Sequence, residues 1–143
     1  MRAWLRRLTD DADTADELAQ ETFITAWQKL DSFAGRGTLK SWLFALAYRA
    51  FLTRIRRARR EQEVLDDYAR EATDHASGDE ALLDIEPALA TLSPAERQCL
   101  LLTHGWGLTV DETGDVLDLP SGTVKSHVHR AKRRLAELHA LET

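Results

Sequence analysis

A chain of 143 residues, 43 % hydrophobic and 30 % charged, has room for one compact domain or two small ones, and no apolar run approaches the ~20 residues of a membrane span. No signal-peptide pattern opens it, and its single cysteine excludes an internal disulfide, which suits a reducing cytoplasm. The net charge of −5 conceals a reversal: residues 1–60 hold 12 Lys/Arg against 7 Asp/Glu (+5), residues 61–120 hold 2 against 15 (−13), and residues 121–143 hold 5 against 2 (+3). Two cationic ends around an acidic middle imply two nucleic-acid-facing surfaces.

Every strong periodicity is helical, so an all-α chain of two small helical domains is expected. The first long helix is predicted from about Thr14 to Leu30, with Ala15, Leu18, Ala19, Thr22, Phe23, Ala26, Trp27 and Leu30 on one stripe. Asp16, Glu17, Gln20 and Glu21 fall on or beside its solvent side. That patch is unsuited to DNA and is either a solvated face or a docking surface for a basic protein. Residues 31–37 (DSFAGRG) form a glycine-bearing loop, and Thr38 caps a helix from about Leu39 to Arg59 or Arg60. Residues 61–80 are acidic and poor in apolar groups, and they read as a flexible linker with room for some helix. A helix from about Ala81 to Ala90 follows. Ser93-Pro94-Ala95-Glu96 then joins a cap, a proline at the first helical position and a capping box, opening a helix to about His104. The domains are expected at about 1–60 and 81–141.

Residues 108–138 read as a helix-turn-helix. Thr109 with Glu112 fits a capping box for a short helix whose inner face is Val110, Thr113, Gly114 and Leu117. Asp118 to Ser121 supplies the turn, with Pro120 ending one helix and Ser121 near the start of the next. On that next helix Val124, Val128, Ala131, Leu135 and Leu138 share an apolar stripe. The opposite side carries Gly122, Ser126, His129 and Arg133, flanked by Thr123, Lys125, Arg130 and Lys132. One face packs on its partner helix and the other offers small polar and cationic groups to a major groove. The plain alternative is a solvated basic helix.

The helix from Leu39 is ringed by apolar residues except for one stripe holding Arg49, Thr53, Arg56 and Arg57. Trp42 projects from the middle of that stripe, with Leu46 at its edge. An indole beside cations can stack bases while arginines hold the backbone, at ~1–3 kcal/mol per stacked base. Alternatively Trp42 packs under a neighbouring helix or domain. The run Arg54, Arg56, Arg57, Arg59 and Arg60 favours nucleic acid.

Catalysis has little support. His75, His104, His127, His129 and His139 show no metal-ligand spacing with acids or Cys99, and there is no phosphate-cradling glycine loop. Cys99 lies among leucines and reads as a core residue. No catalytic residue, metal or cofactor is expected.

Taken together, these segments resemble the extracytoplasmic-function (ECF) group of the sigma-70 family. Residues 16–27 (DELAQETFITAW) resemble its region 2.2, which docks on the polymerase clamp helices. Residues 33–57 (FAGRGTLKSWLFALAYRAFLTRIRR) resemble regions 2.3 and 2.4, which melt and read the −10 element, and residues 91–135 resemble region 4, which binds the −35 element. The resemblance implies a non-catalytic, cytoplasmic promoter-specificity subunit whose partners are core RNA polymerase, promoter DNA and an anti-sigma protein, without membrane insertion. It implies polymerase binding through Asp16, Glu17, Gln20, Glu21 and Phe23. It implies −10 binding and melting through Arg36, Lys40, Trp42, Arg49, Thr53, Arg56 and Arg57, and −35 binding through Ser121, Thr123, Lys125, Ser126, His129, Arg130 and Arg133.

Four departures stand out. Relatives begin with a further helix or more, whereas Met1 lies shortly before the region 2.2 segment. Arg49 and Thr53 stand where relatives often have Asn and Asp, so the −10 preference does not carry over. Asp118 replaces the turn glycine, and Gly114 replaces a usual alanine at a small helical penalty. Two other readings remain: a sigma-like decoy that binds an anti-sigma protein, and a plain helix-turn-helix regulator.

Overall fold

The computed structural model describes residues 1–35, 37–65 and 85–142, and among them every regular element is a helix. The chain divides into two compact units, Met1–Ser77 and Gly78–Thr143.

The first unit opens with a helix that periodicity did not predict, α1 (Arg2–Thr9). It has no side-chain N-cap and is only eight residues long, so it is marginal on local grounds alone. Packing supplies the rest. Trp4 and Leu5 are fully buried, and the Trp4 ring lies 5.1 Å from Phe44 and 6.0 Å from Tyr48 between centroids. Burial of such an indole is worth ~3–5 kcal/mol against alanine, enough to hold two turns of helix in place. A helix thus does precede the segment in which the first long helix was expected.

Asp10 turns left-handed (φ 55°), and Asp11 caps α2 (Ala12–Lys29) by accepting from the backbone N–H of Asp13 and Thr14. The α2 seam against α1 and α3 is Ala15, Leu18, Ala19, Thr22 and Ala26. The other half of the predicted stripe is not covered: Phe23, Trp27 and Leu30 are exposed. They fall about 100° round the helix from Thr22 and Ala26, and a three-helix unit closes only one seam. Thr38 and Ser41 then cap α3 (Leu39–Leu65) reciprocally, Ser41 N–H to Thr38 Oγ1 at 3.1 Å and Thr38 N–H to Ser41 Oγ at 3.2 Å. Phe44, Leu46 and Ala47 are buried in α3. Leu46 therefore belongs to the core rather than to the edge of the arginine stripe. α3 also runs five residues into the expected linker; the remainder of that linker, and 81–84 of the next expected helix, lie outside the described residues.

In the second unit, α4 (Glu86–Ala90) and α5 (Pro94–Leu100) precede α6 (Val110–Leu117) and α7 (Ser121–Glu142). Both predicted capping boxes form, Ser93 with Glu96 and Thr109 with Glu112. The helix expected to reach His104 changes register: Leu101–Gly105 is a π-turn, with Trp106 N–H bonding Leu101 O at 3.0 Å. Leu89, Leu92, Cys99, Leu100, Leu101, Val124, Val128 and Ala131 make the core, at ~1.5–3 kcal/mol for each large aliphatic side chain buried. On α6, Val116 is buried with Thr113 and Gly114, while Val110 and Leu117 are half-buried at the core margin. Asp118 takes the left-handed turn (φ 56°).

Candidate nucleic-acid interface

α7 is oriented by its buried face. Val124, Val128 and Ala131 are held against α5 and α6, which turns Gly122, Lys125, Ser126, His129, Lys132 and Arg133 outward into solvent. Thr123 is half-buried beside them. Ser126 donates its hydroxyl to Gly122 O at 3.0 Å, leaving its lone pairs to accept from a ligand. Ser121 donates its hydroxyl to Asp111 Oδ1, so it ties α6 to α7. Arg133 reaches Glu137 one turn on (3.3 Å). Arg130 is more constrained, with Nε 3.6 Å from Glu96 Oε1 and Nη2 donating to His127 Nδ1 at 3.0 Å. Arg134 Nη1 donates to Thr91 O at 2.8 Å and belongs to the packing of the unit.

On α3, Lys40, Arg49, Thr53, Arg56 and Arg57 are exposed, and Arg36 lies outside the described residues. Trp42 is half-buried and leans on Phe33 from the preceding loop, centroids 5.4 Å apart at 46°. Part of the indole surface therefore packs within the chain, and part is open to solvent. Arg54 leaves the arginine run altogether. It turns towards α2, donating to Glu17 Oε2 and lying 4.0 Å from Glu21 Oε1.

The acidic patch on α2 is therefore partly neutralised within the unit, because Asp16 also pairs with Arg2. Gln20 is exposed between these ion pairs. Beside them Phe23 (57 % exposed), Ile24 (59 %) and Trp27 (82 %) give the helix an uncovered apolar margin. An acidic face with an adjoining apolar strip suits a protein partner and repels a phosphate backbone. Elsewhere, burial pushes the Cys99 thiol up to about 11, which keeps it protonated and unreactive. Among the described residues no group of His, Cys, Asp and Glu could hold a metal ion, and no helix is long and apolar enough to cross a membrane.

Two family models cover these surfaces: Sigma-70 region 2 matches residues 1–61, and Sigma-70 region 4 matches residues 88–137. The chain is 33 % identical to the ECF RNA polymerase sigma factor EcfG of Rhodopseudomonas palustris, over 96 % of this chain and 78 % of the relative. It is also 33 % identical to the ECF RNA polymerase sigma factor SigC of Mycobacterium tuberculosis, over 87 % of this chain and 70 % of that one. The chain belongs to the ECF sigma factors. Among solved structures, the sigma factor RpoE of Bartonella quintana, in complex with the anti-sigma factor NepR, matches this ECF sigma factor with a TM-score of 0.77 and 32 % identity, covering 99 % of this chain and 91 % of that one.

Sequence reasoning missed three contributors to these surfaces. α1, which the region 2 match includes, carries Arg2; the only signal for it was a Trp-Leu pair ahead of an Asp-Asp cap. Arg54 could be separated from its neighbours only by the helical angle that aims it at α2. Glu96 was read as a cap alone, yet it also faces Arg130.

Proposed function

We propose that the chain is the promoter-specificity subunit of a bacterial RNA polymerase, cytoplasmic and without catalysis of its own. In this reading, residues 1–60 form the polymerase- and −10-binding domain, 61–80 the linker and 81–141 the −35-binding domain. The observation that carries it is the division of α7: an apolar stripe locked into the core and, opposite it, Lys125, Ser126, His129 and Arg133 exposed together. Lys125, Arg130 and Arg133 bind phosphates and set register, while Thr123, Ser126 and His129 reach base edges. Asp16, Glu17, Gln20, Glu21 and Phe23 dock on core polymerase. Trp42, with Lys40, Arg49, Thr53, Arg56 and Arg57, stabilises unstacked −10 bases. Two weak sites on one chain act together through effective concentration once polymerase fixes their separation. An anti-sigma protein restrains the factor, a reading supported by the 32 % identical RpoE captured with NepR.

Run-off transcription with purified core polymerase on a genomic promoter library tests this. Specific new transcripts that depend on the protein are expected. Polymerase binding without transcripts would favour the decoy, and tight duplex binding without polymerase a plain regulator.

A further inference from the structure

Glu96 belongs to α5, yet it reaches the recognition helix. Its side chain is only 17 % exposed, and its two oxygens have separate partners. Oε2 accepts the Ser93 backbone N–H at 3.4 Å, and Oε1 lies 3.6 Å from Arg130 Nε. Arg130 Nη2 then donates to His127 Nδ1 at 3.0 Å, one turn back on α7. A guanidinium can only donate, so in this contact the ring nitrogen of His127 is the acceptor. Of the five coplanar donors of Arg130, one faces a carboxylate and one is taken by the imidazole. The three that remain, the Nη1 pair and one on Nη2, belong to a side chain that is 56 % exposed.

We infer that Glu96 is a positioning residue for −35 recognition: anchored in the α5 capping box, it holds Arg130 with its remaining donors presented to a phosphate or a base. The inference rests on the proposed reading of α7. A free arginine gives up its rotamer freedom when it binds, and a guanidinium already held in one plane gives up less. A carboxylate near DNA also repels phosphate, so positioning and repulsion pull affinity in opposite directions and can be separated.

Glu96→Gln keeps an oxygen for Ser93 N–H and removes the charge facing Arg130. Polymerase holoenzyme carrying the full chain is measured on two probes, a promoter fragment recovered by run-off transcription and the same fragment with its −35 element scrambled. Glu96→Gln is expected to lower the preference between them roughly fivefold. Arg130→Ala is expected to lower it similarly, and Glu96→Gln to add nothing in the Arg130→Ala background. Equal tightening on both probes would make Glu96 a mere source of repulsion and overturn the inference, as would an undiminished effect in that background. Should Glu96→Gln melt early, Arg130→Lys, which keeps the charge without the Nε–H, must lose the same preference. The 15N resonance of Arg130 Nε in the free chain gives a reading independent of DNA. It shifts on Glu96→Gln if the contact holds, and an unmoved resonance refutes it. Wild-type holoenzyme without any −35 preference would instead defeat the reading of α7 itself.

Discussion

The carbonyl oxygen of Leu119 lies 2.5 Å from where a β-carbon on Gly114 would stand. The same two residues are joined by the Leu119 N–H, which bonds Gly114 O at 2.9 Å. The turn between α6 and α7 thus folds back onto α6 at a point where only hydrogen fits, and the backbone on which it closes cannot swing aside. The sequence suggested a small penalty from a glycine in place of alanine. The structure makes that glycine a requirement of this turn.

Gly114→Ala is therefore expected to destabilise the second unit by ~1–3 kcal/mol, the usual range for overpacking, even though alanine gains ~1 kcal/mol in helix propensity. Urea unfolding of the full chain measures it. A more stable variant would show that the turn relaxes freely.

Thr113 is fully buried, and its hydroxyl has no hydrogen-bond partner among the described residues. Replacing it by valine keeps the branched shape and removes the unpaired group. Thr113→Val is expected to raise stability by ~1 kcal/mol in the same unfolding measurement. A loss would mean that the hydroxyl has a partner such as water.

Trp42→Ala is expected to impair promoter opening, read by permanganate reactivity of −10 thymines, roughly tenfold or more, at ~1–3 kcal/mol per stacked base. Binding to a −35 duplex should change little. Because Trp42 leans on Phe33, Phe33→Ala should reproduce part of the opening defect by loosening the indole. Intact opening in Trp42→Ala would remove the stacking role.

The exposed arginines of α3 are not equivalent. Arg56→Ala and Arg57→Ala should each reduce the slope of log affinity against log salt by ~1 for single-stranded −10 DNA. Arg54→Ala should leave that slope nearly unchanged, since its guanidinium is engaged by Glu17. It should also shift stability by under ~1 kcal/mol, because both partners are exposed. Equal slopes for all three would show that Arg54 swings free.

Cys99 should resist thiol reagents in the native chain and react at the rate of unfolding. Its folded pKa of about 11 is raised, so the unfolded chain loses this proton first. The resulting contribution to stability is full below the ordinary thiol value of 9.0 and declines as pH rises from there towards about 11. Labelling kinetics against pH check both statements. Fast labelling at neutral pH would contradict the burial.

Where local chemistry dominates, the sequence was legible. The boxes at Ser93–Glu96 and Thr109–Glu112, the turn at Asp118 and the α7 stripe each depend on residues within a few positions of one another. What escaped was tertiary. α1 is fixed by Trp4 meeting Phe44 forty residues on, and no local pattern announces that. Phe23 and Trp27 satisfied a helical stripe, yet which part of a wide stripe is covered depends on how many helices surround it. The candidate site followed the same division: residue types and faces were readable, whereas the diversion of Arg54 to Glu17 and the hold of Glu96 on Arg130 required coordinates.

The four tryptophans occupy contrasting surroundings: Trp4 is sealed in the first core, Trp42 and Trp106 are half-buried, and Trp27 stands 82 % exposed on α2. Trp27 is thus a fluorophore on the same helix as Glu17, Gln20 and Glu21, with its emission at the red end while water surrounds it. Any partner closing over that helix would strip the indole of water and turn its light bluer, an internal signal that needs no label.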